Sequence, residues 1–179
     1  FRRLSDVKTP QGILAVAERM QYTSRDILNG GMVVLLEGIQ DPGNLGTIIR
    51  TGEAAGIAGV VMDQGCADVY SPKVVRSTMG SIFRVPFMKV PSIAEYMPEL
   101  RSKGYETYAA ALSGDDFFEK TKYVSKAAII IGNEGNGISD ELLSLSEHII
   151  KIPMEGKVES LNAAVSASIL MYGFKFYKK

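Results

Sequence analysis

The sequence predicts an α/β domain, a mostly parallel sheet flanked by helices. Short apolar runs alternate along the chain with stretches of helical periodicity. The runs are apolar at every position rather than at alternate ones, the pattern of strands covered on both faces by crossover helices. The chain is also long enough, at 179 residues, for one domain with a sizeable core.

The elements follow in order. Residues 1–25 read as a lead-in or linker with one helix in "SDVKTPQGILAVAERM". "YTSRDILNGG" joins it to the first strand. The change in texture, and a start at Phe1 rather than Met, predict that these residues end a separate preceding module, with residues 26–179 as the domain proper. "MVVLLEGI" (32–39) is a buried strand between Gly30-Gly31 and the Asp41-Pro42-Gly43 turn. "NLGTIIRTGEAAG" (44–56) places Leu45, Ile48, Ile49 and Ala55 at helical spacing, with Asn44 a natural N-cap. "GVVM" is the next strand, and "SPKVVRSTMGS" a helix capped by Ser71 with Pro72 at its first position. "VPFMKV" is a strand. "SIAEYMPELRSKG" is a helix ended by Gly104 and interrupted at Pro98. "YETYAAAL" is a strand and "SGDDFFEKT" a loop or short helix. "AAIIIG" is a strand, and "SDELLSLS" a helix capped by Ser139 with an acidic first turn. "HIIKIP" is the last strand, and "SLNAAVSASILMYGFKFY" the closing helix.

Composition narrows the function classes. Hydrophobic residues make up 46% and charged residues 22%, which predicts a folded globular chain. No apolar run reaches membrane-spanning length and no secretory pattern opens the chain, so no membrane is expected and the predicted address is cytoplasmic. Cys66 and His148 are each single, which predicts neither a disulfide framework nor a metal site. His148 is read as structural. Lys plus Arg equals Asp plus Glu at 20 each, so net charge does not announce nucleic acid, although a local basic patch is compatible with it.

Three stretches look like chemistry. In "LLEGIQDPGNLGTIIRTGEAAG" a strand ends, the chain turns, and a helix carries Asn44 and Arg50; strand-end turns are where parallel sheets bind ligands. "IIIGNEGNGIS" runs a strand into Gly132, Gly135 and Gly137. Its order is not the dinucleotide G-x-G-x-x-G, it comes late in the chain, and Glu134 would repel a phosphate. It reads either as a plain glycine-rich turn or as a loop that lets backbone approach a polar or cationic ligand. In "IKIPMEGKVESLNAAVSASIL" a strand ends at Pro153, and Ser160 and Asn162 open a helix of small residues. Ser160 is a natural N-cap there.

Together these stretches resemble the SpoU family of RNA ribose 2′-O-methyltransferases, the TrmH-like branch of the SPOUT class, over roughly residues 32–179. The family's motif residues fall on Asn44 and Arg50, on Glu134, and on Ser160 and Asn162. The resemblance implies a C-terminal trefoil knot, which general folding rules would reject. It also implies S-adenosylmethionine as cofactor, a homodimer, and RNA as partner, ribosomal RNA before transfer RNA. Carried over, the cofactor loops are Gly132, Asn133, Glu134, Gly135 and Gly137; Ile152, Pro153 and Met154; and Ser160, Leu161, Asn162 and Ala163, with Leu112 as a further contributor. Asn44, Arg50, Glu134, Ser160 and Asn162 are the implied catalytic set. The methyl donor is already activated by its sulfonium, so no metal is expected. A guanidinium is a poor base, so Arg50 serves equally well as a phosphate or alkoxide binder. Lys73, Arg76 and Arg84 join Arg50 as candidate RNA contacts. A non-catalytic RNA-binding module and a nicotinamide-dependent oxidoreductase are the alternatives.

Overall fold

The computed structural model describes residues 9, 12–121 and 123–176. After a single helical turn, α1 (Ser24–Ile27), the chain runs through β1 (Val33–Leu36), α2 (Pro42–Ala55), β2 (Gly59–Met62), α3 (Pro72–Ser77), a 3-10 turn (Ser81–Phe83) and β3 (Phe87–Lys89). It continues through α4 (Ile93–Ser102), β4 (Glu106–Asp116), α5 (Phe117–Lys120), β5 (Ala127–Ile131), α6 (Asp140–Leu145), β6 (His148–Lys151) and α7 (Ala163–Phe176). All strand pairs are parallel, in the order β3-β2-β1-β5-β4-β6.

The central strands explain their own sequences. In β1, Val34 and Leu36 enter one apolar core with α2, α3 and α7, while Val33 and Leu35 enter a second with α1, α4 and α6. Both faces are covered, so every position is apolar. The helix after β1 packs on the first face and the helix after β5 on the second. The loops leaving these two adjacent strands therefore diverge and open a crevice at their C-terminal ends, the place where such sheets bind ligands.

Several local expectations are corrected. Among the described residues of the lead-in, 9 and 12–23 form no helix and 24–25 belong to α1; the rest of that expectation lies outside the described residues. Ile13 and Val16 are 85% and 93% exposed, so the segment has no buried face to support helix formation. Helix α2 begins two residues before Asn44. Asp41 is its N-cap, accepting from the Asn44 N–H, and Pro42 occupies the first turn, where a missing N–H costs nothing. Ser71 is in cap position but makes no side-chain cap bond, and its hydroxyl is buried without a partner among the described residues. Ser92 caps α4, which runs through Pro98 without a break. Ser139 caps α6 as expected, accepting from Leu142 N–H. Strand β4 is longer than predicted: it pairs with β6 through Ala110, bulges, and rejoins β6 at Asp115. His148 has the structural role expected, stacked on Tyr108 at 4.6 Å and 3.2 Å from Glu106 Oε2.

Candidate active site

The loop after β5 is held by its own first asparagine. Asn133 and Gly137 exchange backbone hydrogen bonds, each 2.9 Å. Asn133 Oδ1 accepts from the Gly135 and Asn136 N–H groups at 2.9 and 3.0 Å, and its Nδ2 donates to Gly38 O at 2.7 Å. The N–H groups of residues 135–137 are thus satisfied within the loop, and none is left to form an anion nest. Gly132 is required by close approach, because a β-carbon there would overlap the Gly137–Ile138 backbone. Behind the loop, Glu37 clamps Ser139, accepting from its N–H at 2.8 Å and its hydroxyl at 2.6 Å.

Glu134 turns toward the other loop. Its Oε1 accepts from Asn44 Nδ2 at 2.9 Å and from Asp41 N–H at 3.2 Å, and its Oε2 from Gln40 N–H at 3.3 Å. Asn44 Oδ1 accepts from Asn162 Nδ2 at 2.9 Å, and Asn162 Oδ1 caps α7 through Ala164 and Val165 N–H. A carboxylate only accepts, so it sets which end of each amide faces the next. Desolvation pushes the Glu134 carboxyl up, but the bonds from Asn44 and nearby backbone N–H groups outweigh it and hold it below the ordinary carboxylate value. The cap of α7 is therefore Asn162 and not Ser160, because the helix begins at Ala163.

A cleft of about 550 Å³ lies beside this relay, at the C-terminal ends of β5, β4 and β6. Its walls include the bulge residues Ala111, Leu112 and Ser113, the loop from Gly132 to Ile138, and the Ile152, Met154 and Ser160 to Leu161 segment. Of the expected cofactor residues, Leu112, Gly132, Asn133, Glu134, Gly135, Gly137, Ile152, Met154, Ser160, Leu161 and Ala163 line it; Pro153 and Asn162 do not. The β4 bulge, which pushes Leu112 to 60% exposure, had no sequence signal beyond the Ser113-Gly114 pair. Gln40, Asp41 and Glu37 were also missed, since their roles lie in pairings with distant loops. The volume suits a drug-sized or nucleoside-sized ligand. Glu134 and Glu159 on the wall, against Lys151, suit a ligand with a cationic centre.

The remaining candidates stand apart. Arg50 lies one and two-thirds turns along α2 from Asn44, is exposed, and its side chain makes no hydrogen bond or ion pair among the described residues. Lys73 pairs with Asp41 at 3.3 Å. Arg84 pairs with Glu53, which also accepts from the Ser81 hydroxyl, and Arg84 and Ser81 together hold the Glu53 carboxyl down to about 2. Arg76 is exposed, and its side chain is unpaired among the described residues. Within those residues no cluster of His, Cys, Asp or Glu is arranged for a metal, and no helix is long and apolar enough to cross a membrane.

A parallel sheet with a glycine-walled cleft at its C-terminal edge, rimmed by a relay from three loops, defines an α/β domain with a cleft suited in size and charge to a small cationic or nucleoside-sized ligand. The chain belongs to the SpoU rRNA Methylase family, whose model matches residues 31–172. It is 38% identical over 175 residues to the 23S rRNA (guanosine(2553)-2'-O)-methyltransferase RlmP of Bacillus subtilis (strain 168), covering 96% of this chain and 68% of that protein. A TrmH-family RNA methyltransferase structure from Porphyromonas gingivalis superposes with a TM-score of 0.83 at 34% identity, over 99% of this chain and 71% of that one. The AdoMet-bound rRNA methyltransferase structure from Sinorhizobium meliloti gives 0.78 at 32% identity, over 84% and 57%. The chain thus spans between 57% and 71% of these relatives' own length. The family, together with the occupied loop amides, leaves the nicotinamide alternative without support.

Proposed function

We propose that this domain transfers a methyl group from S-adenosylmethionine to a ribose 2′-hydroxyl in structured RNA, ribosomal RNA before transfer RNA. The observation that carries the reading is the Glu134–Asn44–Asn162 relay, which joins three distant motifs at the rim of a cleft of suitable size. The residues present fit the cofactor. A β-carbon at Gly132 would collide with the Gly137–Ile138 backbone and distort the loop that walls the cleft, and the acidic side chains on that wall suit a sulfonium. When bound, the cofactor supplies an already activated methyl group.

The chain's own residues then position and stabilise. The relay locks the Gly132–Ile138 loop to the α2 and α7 N-termini, so the cleft wall is preorganised. Arg50, with no internal partner among the described residues, is available to hold an RNA phosphate and to stabilise the alkoxide that develops as the 2′-hydroxyl loses its proton. Ser160, exposed at the cleft mouth, is placed to donate to or accept from cofactor or ribose. The reading includes a homodimer, a knotted C-terminal region, a cytoplasmic address, and residues 1–25 as the end of a preceding RNA-binding module. Tritiated methyl transfer to ribosomal RNA tests it. Arg50→Ala abolishes transfer while calorimetric binding of S-adenosylmethionine survives; unchanged turnover in that variant removes the assignment of Arg50. Absence of cofactor binding by the unaltered protein favours a non-catalytic RNA-binding module.

A further inference from the structure

We propose that Phe83 and Met79 form a stacking platform for an unpaired base of the RNA, beside the ribose that Arg50 addresses; this rests on the functional reading above. Both side chains stand out of the fold, 62% and 70% exposed. Met79 holds a left-handed backbone (φ 49°), alone among the non-glycine residues described, and this turns its side chain away from the core.

The position of this turn is set by α2. Gly46 lets α3 approach so closely that a β-carbon there would overlap Ser77, and Glu53 holds Ser81 and Arg84. Gly46, Arg50 and Glu53 are spaced i, i+4 and i+7, so they share one face of the helix. The segment from Ser77 to Arg84 therefore runs along the face that carries Arg50, with the Met79 turn between its two anchor points. The Arg84 guanidinium lies against Gly80, 3.6 Å from where a β-carbon would sit. Apolar and cationic groups thus alternate over one continuous surface.

Charge selects the occupant. From Val69 to Ala94 the chain carries Lys73, Arg76, Arg84 and Lys89 and no acidic residue, in a protein whose overall charge is balanced. The Arg50 and Arg76 side chains have no ion pair among the described residues. Lys73 and Arg84 are paired with Asp41 and Glu53, so Arg50 and Arg76 are the cations left for a ligand. Unpaired cations on α2 and α3, with an exposed ring and a thioether on the segment that follows α3, match single-stranded RNA, whose phosphates take the charges and whose bases all present a π face. The core of a protein–protein interface is instead depleted in charge.

The test uses the full chain, a fluorescent uridine decamer, and ribosomal RNA. Phe83→Ala is expected to weaken decamer binding about tenfold. It leaves the slope of log affinity against log salt unchanged, because stacking releases no counterions. Phe83→Trp restores the affinity. Arg76→Ala instead lowers the slope by about 0.7. The proposal is overturned if the unaltered chain does not bind the decamer, if Phe83→Ala binds like the unaltered chain, or if Phe83→Trp fails to rescue. It is also overturned if sedimentation shows that Phe83→Ala dissociates an oligomer at unchanged RNA affinity, which would make this face a contact between copies. Methyl transfer by the unaltered chain is read separately: its presence with an indifferent Phe83 removes the platform alone, and its absence together with absent cofactor binding removes the functional reading.

Discussion

Asn44 Nδ2 donates to Glu134 Oε1 at 2.9 Å, joining residues 90 positions apart. The other end of the same amide accepts from Asn162, so a single side chain ties the loops after β1 and β5 to the N-terminus of α7. Function and stability therefore meet at Asn44. Removing it breaks the link between Glu134 and Asn162 and leaves Glu134 with the Gln40 and Asp41 N–H groups.

Asn44→Ala is expected to destabilise the domain by about 1–3 kcal/mol, through the loss of both bonds and the unmet groups left behind. Asn44→Asp is expected to cost more at neutral pH, because a second carboxylate then faces Glu134. The gap between the two variants narrows on acidification, as one carboxyl of the pair takes up a proton. Urea denaturation at pH 7 and pH 4 measures this; an Asp variant as stable as the Ala variant at pH 7 contradicts the arrangement.

Glu134 itself makes stability depend on pH. Its folded carboxyl titrates below the ordinary value of 4.5, so its contribution is present above that value and is lost as the pH falls through the depressed folded value. Glu134→Gln lacks this term. The stability difference between the unaltered protein and Glu134→Gln is expected to be flat above about pH 5 and to shrink below it. A difference that stays constant into acid, followed by chemical denaturation, argues against the depressed carboxyl.

Much of this fold could be read in the residues, and less of the site. Uniformly apolar runs such as "VVLL" and "AIII" report burial on both faces, a local property. The Asp41 cap was hidden by Asn44, a cap-forming residue that instead spends its side chain on Glu134 and Asn162. That relay depends on separations of 90 and 118 residues, which no local pattern encodes. Arg84 and Lys73 looked like free cations because their partners, Glu53 and Asp41, belong to another element. The four-residue excursion in β4 that puts Leu112 at the cleft reflects its pairing with β6 and leaves no periodicity of its own.

The Glu53–Arg84 pair gives a spectroscopic prediction. Glu53 titrates at about 2, held down first by the Arg84 hydrogen bond and then by Ser81. Carbon-detected NMR is expected to show its carboxyl charged well below pH 4, and Arg84→Ala to return it toward the ordinary 4.5. The depressed value means that the pair favours the fold above pH 4.5 and loses that effect as the pH falls toward 2. Because Arg84 is already neutralised by Glu53, Arg84→Ala should change the salt dependence of RNA binding less than Arg76→Ala does.

Cys66 is expected to be inert in the native protein. Burial pushes its thiol up to about 12, partly opposed by the Ile39 N–H that donates to its sulfur and reinforced by nearby Asp63. At pH 8 almost none is thiolate, the reactive form. Iodoacetamide labelling should follow global unfolding as urea is raised. Rapid labelling without urea would show that the strand-end loops holding Cys66 open on their own.

Gly132→Ala separates the cleft from the fold. The added methyl would overlap the backbone of Gly137 and Ile138 across the Asn133–Gly137 bridge, and backbone cannot rotate away as a side chain can. The loop must then open and Glu134 must shift on Asn44; of the two apolar cores, one on each face of the sheet, the disturbance reaches the second only at its margin, through Ile138. The expected outcome is a loss of about 1–3 kcal/mol of stability, typical of steric overpacking. Calorimetric affinity for S-adenosylmethionine should drop by at least about tenfold, the equivalent of ~1.4 kcal/mol. Gly156→Ala is the matched control: it sits on the neighbouring loop, and a β-carbon there meets nothing within 4 Å. Equal behaviour of the two variants would mean that the close approach at Gly132 does not shape the cofactor cleft.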